Sequence, residues 1–142
     1  MTRQERKEWL ERYRNCEREI EIIGLETEEW RSIAEKATPS WTEIKAGNGT
    51  DRMQAAIERI DDLRNLLAEE ILRLTALRYE IESAIITLPD ESMRTLLRMR
   101  YINCMRIEDI SEKWPMEYRH VQRCINRAVE SLVFDWVFEE IV

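Results

Sequence analysis

DRMQAAIERIDDLRNLLAEEILRLTALRYEIESAIITL, residues 51–88, carries Ile57, Ile60, Arg64, Leu67, Ile71, Leu74, Arg78, Ile81, Ile85 and Leu88 at steps of three and four. That spacing keeps one face of an α-helix turned toward a neighbouring helix. It predicts a single helix over about 51–88, roughly 57 Å long at 1.5 Å per residue. Thr50 or Asp51 is placed to cap it by accepting from the free N–H groups of the first turn. Ala56, Leu63, Leu77 and Ala84 widen the stripe on one side, which implies contact with more than one helix and hence a bundle or an oligomer. On this reading Ile57, Ile60, Leu67, Ile71, Leu74, Ile81 and Ile85 are the expected self-association residues; the alternative is a self-contained hairpin acting as a rigid spacer. Arg64 and Arg78, at seam positions, must snorkel or pair with acids.

Upstream, Trp9, Tyr13, Cys16, Ile20, Ile23, Thr27, Trp30, Ala34 and Ala37 repeat the four-and-three pattern and predict a helix over about 3–37. Between the two patterns lie Thr38-Pro39-Ser40-Trp41 and Gly47-Asn48-Gly49-Thr50, which hold much of the helix-breaking chemistry of the chain and predict a loop over about 38–50. The fold class expected is all-α: a long N-terminal antiparallel, coiled-coil-like hairpin over 1–88, then a second module over 89–142.

Composition agrees with helix. The 142 residues are 44% hydrophobic and 36% charged, with three Gly and three Pro, so a core can form and little interrupts long elements. The absence of an apolar run near 20 residues excludes an evident membrane span, and a cytoplasmic location is expected. Cys16, Cys104 and Cys124 are odd in number and far apart, unlike a secreted disulfide framework. With His120 the lone histidine and no CxxC, no metal or other cofactor is expected. The carboxylate pairs Asp61-Asp62 and Glu69-Glu70 are neighbours on a helix, about 100° apart, and cannot converge on a substrate. A P-loop, a dinucleotide turn and a nucleophile elbow are all missing, so an enzyme is not expected.

The net charge of −7 is unevenly spread. Residues 94–127 hold eight basic and four acidic side chains, a balance of +4, which leaves 14 basic and 25 acidic residues, −11, elsewhere. A basic segment within an acidic chain is the arrangement expected when one module faces nucleic acid and the rest is kept off it. Leu88-Pro89-Asp90 stops the long helix, because Pro drives its predecessor out of the α region, and Asp90 can cap the next one. Three short amphipathic helices follow: Glu91–Tyr101, with Leu96, Leu97 and Tyr101 inward; Ile107–Trp114, with Ile107, Ile110 and Trp114 inward; and one from about Met116, with Val121, Cys124, Ile125, Ala128 and Leu132 inward.

The runs LLRMRYIN, RIEDISEKW and MEYRHVQRCINRAVESL resemble region 4 of sigma factors. Arg98, Arg100 and Tyr101 match the end of the support helix, Glu108 and Ile110 the first motif helix, and Val121, Ala128 and Leu132 the core of the recognition helix. With its upstream heptad hairpin the chain also resembles phage-encoded regulators of the ArpU and RinA type. The resemblance implies a helix-turn-helix that binds double-stranded DNA, a role in phage or prophage transcription, and a bacterial host cytoplasm. Trp114-Pro115-Met116-Glu117 departs from the usual small residue and Ser cap of the motif turn. Pro115 suits a first turn, where no N–H is needed, and Glu117 suits the positive helix end.

A helical wheel centred on Val121 sends Arg119, Gln122, Arg123 and Asn126 outward, and these are the side chains expected to read bases. Arg106, Lys113, Tyr118, His120 and Arg127 are expected at the DNA backbone. The acidic, aromatic segment 133–142, with Phe134, Trp136, Phe138 and Ile141, is expected either to fold back on the core or to dock RNA polymerase. Two readings from other classes stay open: a small-terminase-like packaging protein, and a sigma-like interaction module that does not bind DNA.

Overall fold

The computed structural model describes residues 1–36 and 48–134, with side chains placed for 1–36 and 51–134. The described residues are all-α, with no strand among them. The elements are α1 (Arg3–Lys36), α2 (Asn48–Ile85), α3 (Glu91–Leu97) continued by a π-helical turn (Arg98–Ile102), α4 (Ile107–Lys113) and α5 (Tyr118–Ser131). The loop expected over 38–50 falls outside the described residues at 37–47, as do Ala37, Trp136, Phe138 and Ile141.

α1 starts at a reciprocal cap that the spacing Thr2-x-x-Glu5 encodes. The Glu5 amide donates to the Thr2 hydroxyl (3.2 Å) and the Thr2 amide donates to the Glu5 carboxylate (2.9 Å). α2 begins at Asn48, ahead of the expected boundary, so Thr50 and Asp51 lie within its first turn and do not cap it; Asp51 there still faces the positive end of the helix dipole. α2 ends at Ile85, short of Leu88. The Thr87 and Leu88 amides fold back to the Ala84 and Ile85 carbonyls, both at 3.1 Å, and the Thr87 hydroxyl donates to Ala84 at 2.6 Å. The chain thus tightens into a turn before Pro89.

Two compact units emerge, Cys16–Arg73 and Met1–Asn15 with Leu74–Val142. In the first, Cys16, Ile23, Thr27, Ala56, Ile60 and Leu63 are buried. The Cys16 thiol faces Glu70, 3.5 Å from its carbonyl and 3.6 Å from its carboxylate, while Glu26, further along α1, reaches back to Arg59 at 3.8 Å. The two helices therefore run antiparallel here. Burial, then the Glu70 carboxylate, pushes the Cys16 thiol pKa up. The Thr27 hydroxyl is satisfied by the Ile23 carbonyl at 2.8 Å.

The buried stripe of α2 corrects the expected seam. It follows Ala56, Ile60 and Leu63, then the half-buried Leu67 and Glu70; in the other unit it resumes with half-buried Leu74 and buried Leu77, Ile81, Ala84 and Leu88. Ile57 and Ile71, placed on the seam by spacing, are 44% and 47% exposed, and Arg64 and Arg78 are exposed as well. The apolar stripe is wide enough to admit two centre lines, and packing chose the one through the smaller side chains, Ala56 and Ala84. Ile60, Ile81 and Ile85 are consumed inside the chain and offer no surface to a second copy. Arg78 pairs with Glu82 on its own helix at 3.0 Å.

In the unit formed by Met1–Asn15 and Leu74–Val142, α3 and α4 both pack on α5. Leu10, Leu96, Leu97, Ile110, Val121, Ile125, Ala128, Val129 and Leu132 make up much of its core. Asp90 caps α3 as expected, its carboxylate accepting from the Ser92 amide at 2.8 Å. The π turn then replaces the regular helix expected through Tyr101: the Asn103 amide reaches back five residues to Arg98 at 2.9 Å. Bonding to the fifth residue back brings side chains five apart toward one side, so Leu97 and Ile102 are both buried. Burial pushes the Tyr101 hydroxyl up to about 12, so it stays protonated as a core residue. Cys104 ends the segment with φ 55°, the left-handed conformation that turns the chain toward α4. No helix among the described residues is long and apolar enough to cross a membrane.

Candidate nucleic-acid interface

α5 is 14 residues long, about 21 Å at 1.5 Å per residue, and sharply two-faced. Val121, Ile125, Ala128 and Val129 are buried on one side, and Cys124 is half-buried. Arg119, His120, Gln122, Arg123 and Arg127 are exposed on the other. Arg119, Arg123 and Arg127 have no ion-pair partner among the described residues, so their guanidinium groups are open to an incoming anion.

The turn before α5 differs from expectation in its starting point. The helix begins at Tyr118 with Glu117 as its N-cap, so Pro115 lies in the turn and not in the first helical turn. Glu117 makes no side-chain capping bond; its carbonyl receives the His120 and Val121 amides at 2.9 and 3.0 Å. The turn is fixed from α4, where the Ser111 hydroxyl donates to the Met116 carbonyl at 2.6 Å and the Trp114 amide to Ile110 at 2.9 Å. Ile110 is fully buried under this turn, whereas Ile107 and Trp114, expected inward, are only half-buried.

The remaining expected site residues divide. Lys113 and Tyr118 are exposed beside the turn. Arg106 is exposed and paired with Asp109 at 3.3 Å; the hydrogen bond and charge of Asp109 raise its pKa and partly neutralise it as an anion ligand. His120 lies 3.7 Å from the Cys124 thiol, one turn away. Asn126 does not face outward with the arginines. It is half-buried, and its Oδ1 is shielded from solvent without a hydrogen-bond partner. The wheel places it near the edge of the buried arc, where the width of the packed face decides, and α5 is covered on both flanks by α3 and α4. Asn126 is therefore removed from the set of base readers.

No family model, curated protein or solved structure matches this chain. What the chain does is accordingly argued from its own side chains.

Sequence reading missed what holds the far end of α5. The Arg6 guanidinium donates to the carbonyls of Val129 (3.1 Å), Glu130 (3.1 Å) and Leu132 (2.8 Å). It also lies over the Phe134 ring at 5.2 Å, and Phe134 meets Trp9 edge-on with centroids 4.9 Å apart. Arg3 adds an ion pair to Glu130 at 3.2 Å. An arginine before an apolar run carries no local signal that it will cap a helix more than 120 positions later.

Proposed function

We propose that this chain is a sequence-specific DNA-binding transcription regulator, in which α4, the Trp114–Glu117 turn and α5 act as a helix-turn-helix of the sigma-region-4 kind. The reading is supported above all by the exposed, unpaired cations of α5, Arg119, Arg123 and Arg127, set beside Gln122 on the face opposite the core. Arg and Gln are the side chains that match guanine and adenine edges in the major groove, and a helix of this diameter fits that groove. Arg119, Gln122 and Arg123 are assigned to bases; Lys113, Tyr118, His120 and Arg127 to the backbone, with Arg106 in a lesser share because Asp109 holds it. The acidic remainder of the chain, at −11, disfavours any other face against DNA. Self-association, if it uses the long helices, falls to Ile57, Leu66 and Leu72, which α2 leaves exposed.

The test is a titration of labelled duplexes, selected from a random pool, at several salt concentrations. Arg123→Ala is expected to cost about 1–3 kcal/mol on the selected sequence and to relax preference at one base pair. Arg127→Ala is expected to weaken all sequences alike and lower the salt slope by about one. Glu112→Lys, on α4, should leave base preference unchanged. Unaltered affinity in both arginine variants would replace this reading with a protein-interaction module, for which the exposed Tyr79 and Ile86 are the candidate contacts.

A further inference from the structure

The C-terminal turn of α5 contains no basic residue, so nothing within the helix answers the negative end of its dipole or its last free carbonyls. The answer comes from α1. One nitrogen of Arg6 approaches three carbonyls, those of Val129, Glu130 and Leu132, at 2.8–3.1 Å. Arg6 is half-buried there, with Phe134 under its guanidinium plane at 5.2 Å and Arg3 engaging Glu130 one turn earlier on α1. Val129 and Leu132 are themselves buried, so the capped carbonyls belong to the packed part of the helix and not to a frayed tip.

We propose that Arg6 is a positioning residue for DNA reading: it pins the C-terminal end of α5 to the start of α1 and so fixes how far along its axis the cationic face is presented. This rests on the DNA-binding reading above. The physical case is that three charge-assisted bonds from one cation define the helix end in three directions, whereas the apolar contacts of Val121, Ile125 and Ala128 alone tolerate sliding along the axis. Arg119 and Arg123 lie on the same rigid helix, so displacement at its far end moves both. Arg6 itself acts on carbonyls and donates nothing to the face that meets DNA. A lysine retains three donors and the charge at this position and should serve in its place, while an apolar residue of similar length should not.

The experiment uses the full chain with Arg6→Met, Arg6→Lys and the unaltered protein, each first shown folded by thermal melting. Amide hydrogen exchange is read along α5, and affinity is read on a duplex selected by the unaltered chain from a random pool. Arg6→Met is expected to speed exchange in the last turn of α5 by about tenfold and to weaken binding by about tenfold, with the salt slope unchanged. Arg6→Lys is expected to restore both to within about threefold. Unchanged exchange in Arg6→Met, with binding by the unaltered chain intact, overturns the pin alone. A salt slope lowered by about one in Arg6→Met would make Arg6 a phosphate contact and also overturn it. Failure of the unaltered chain to bind any duplex overturns the DNA reading and the positioning role together, and the exchange data then still report whether Arg6 holds the helix end.

Discussion

Asn126 shows how a side chain's chemistry can suggest one role and its surroundings another. An amide among arginines reads as an adenine contact, yet its Oδ1 is shielded and makes no hydrogen bond. An unsatisfied buried acceptor carries a desolvation cost, and Asn is a poorer helix former than Ala. Asn126→Ala should therefore raise stability by about 0.5–1 kcal/mol, seen as a higher melting temperature, while duplex affinity changes less than about twofold. A base reader would show the reverse pattern. Arg119, Gln122 and Arg123 were legible because they stand well clear of the buried arc; Asn126 was not, because its fate depends on how far two neighbouring helices wrap α5.

Both long helices were legible as elements, since spacing in threes and fours over many turns specifies a helix regardless of its partner. Their packing was not. The stripe on α2 is broad, and the choice between a line through Ile57, Arg64 and Ile71 and a line through Ala56, Leu63 and Glu70 depends on the facing helix, where Cys16 leaves space for a carboxylate. Glu70 occupies a seam position with its side chain 17% exposed, held by Arg73 at 3.5 Å and near the Cys16 thiol. A charged group there gives up hydration for partial compensation, the circumstance in which an apolar replacement is stabilising. Glu70→Leu is expected to increase unfolding free energy by about 1–2 kcal/mol in a denaturant titration. Loss of stability would mean that the Glu70 contacts outweigh their desolvation. The short helices were legible in number and order, and their ends less so: the start at Tyr118 and the π turn at Arg98–Ile102 are set by tertiary contacts.

For the molecule as a whole, the question that separates a spacer from an assembly device is what covers the exposed apolar residues of the long helices. Ile57 and Leu72 are 44% and 73% exposed, and neither supports the core of its own chain. If copies associate through this surface, Ile57→Asp with Leu72→Asp should yield a folded monomer by light scattering at tens of micromolar, with helix content unchanged. Ile81→Asp, which inserts a charge at a fully buried position, should instead unfold the chain, because an isolated buried carboxylate cannot be solvated there. A wild-type monomer under the same conditions would make the hairpin a spacer. The π turn has a different bearing on the chain as a whole. A turn closed by bonding from Asn103 to Arg98 accommodates one residue more than an α turn in the same length of helix. Read as history, that surplus residue is an insertion tolerated in place, with the wide turn absorbing it so that nothing downstream had to rotate. An ancestor one residue shorter would match this chain on both sides of Arg98–Ile102 in different frames, and a gapless comparison would see only half of the kinship at a time.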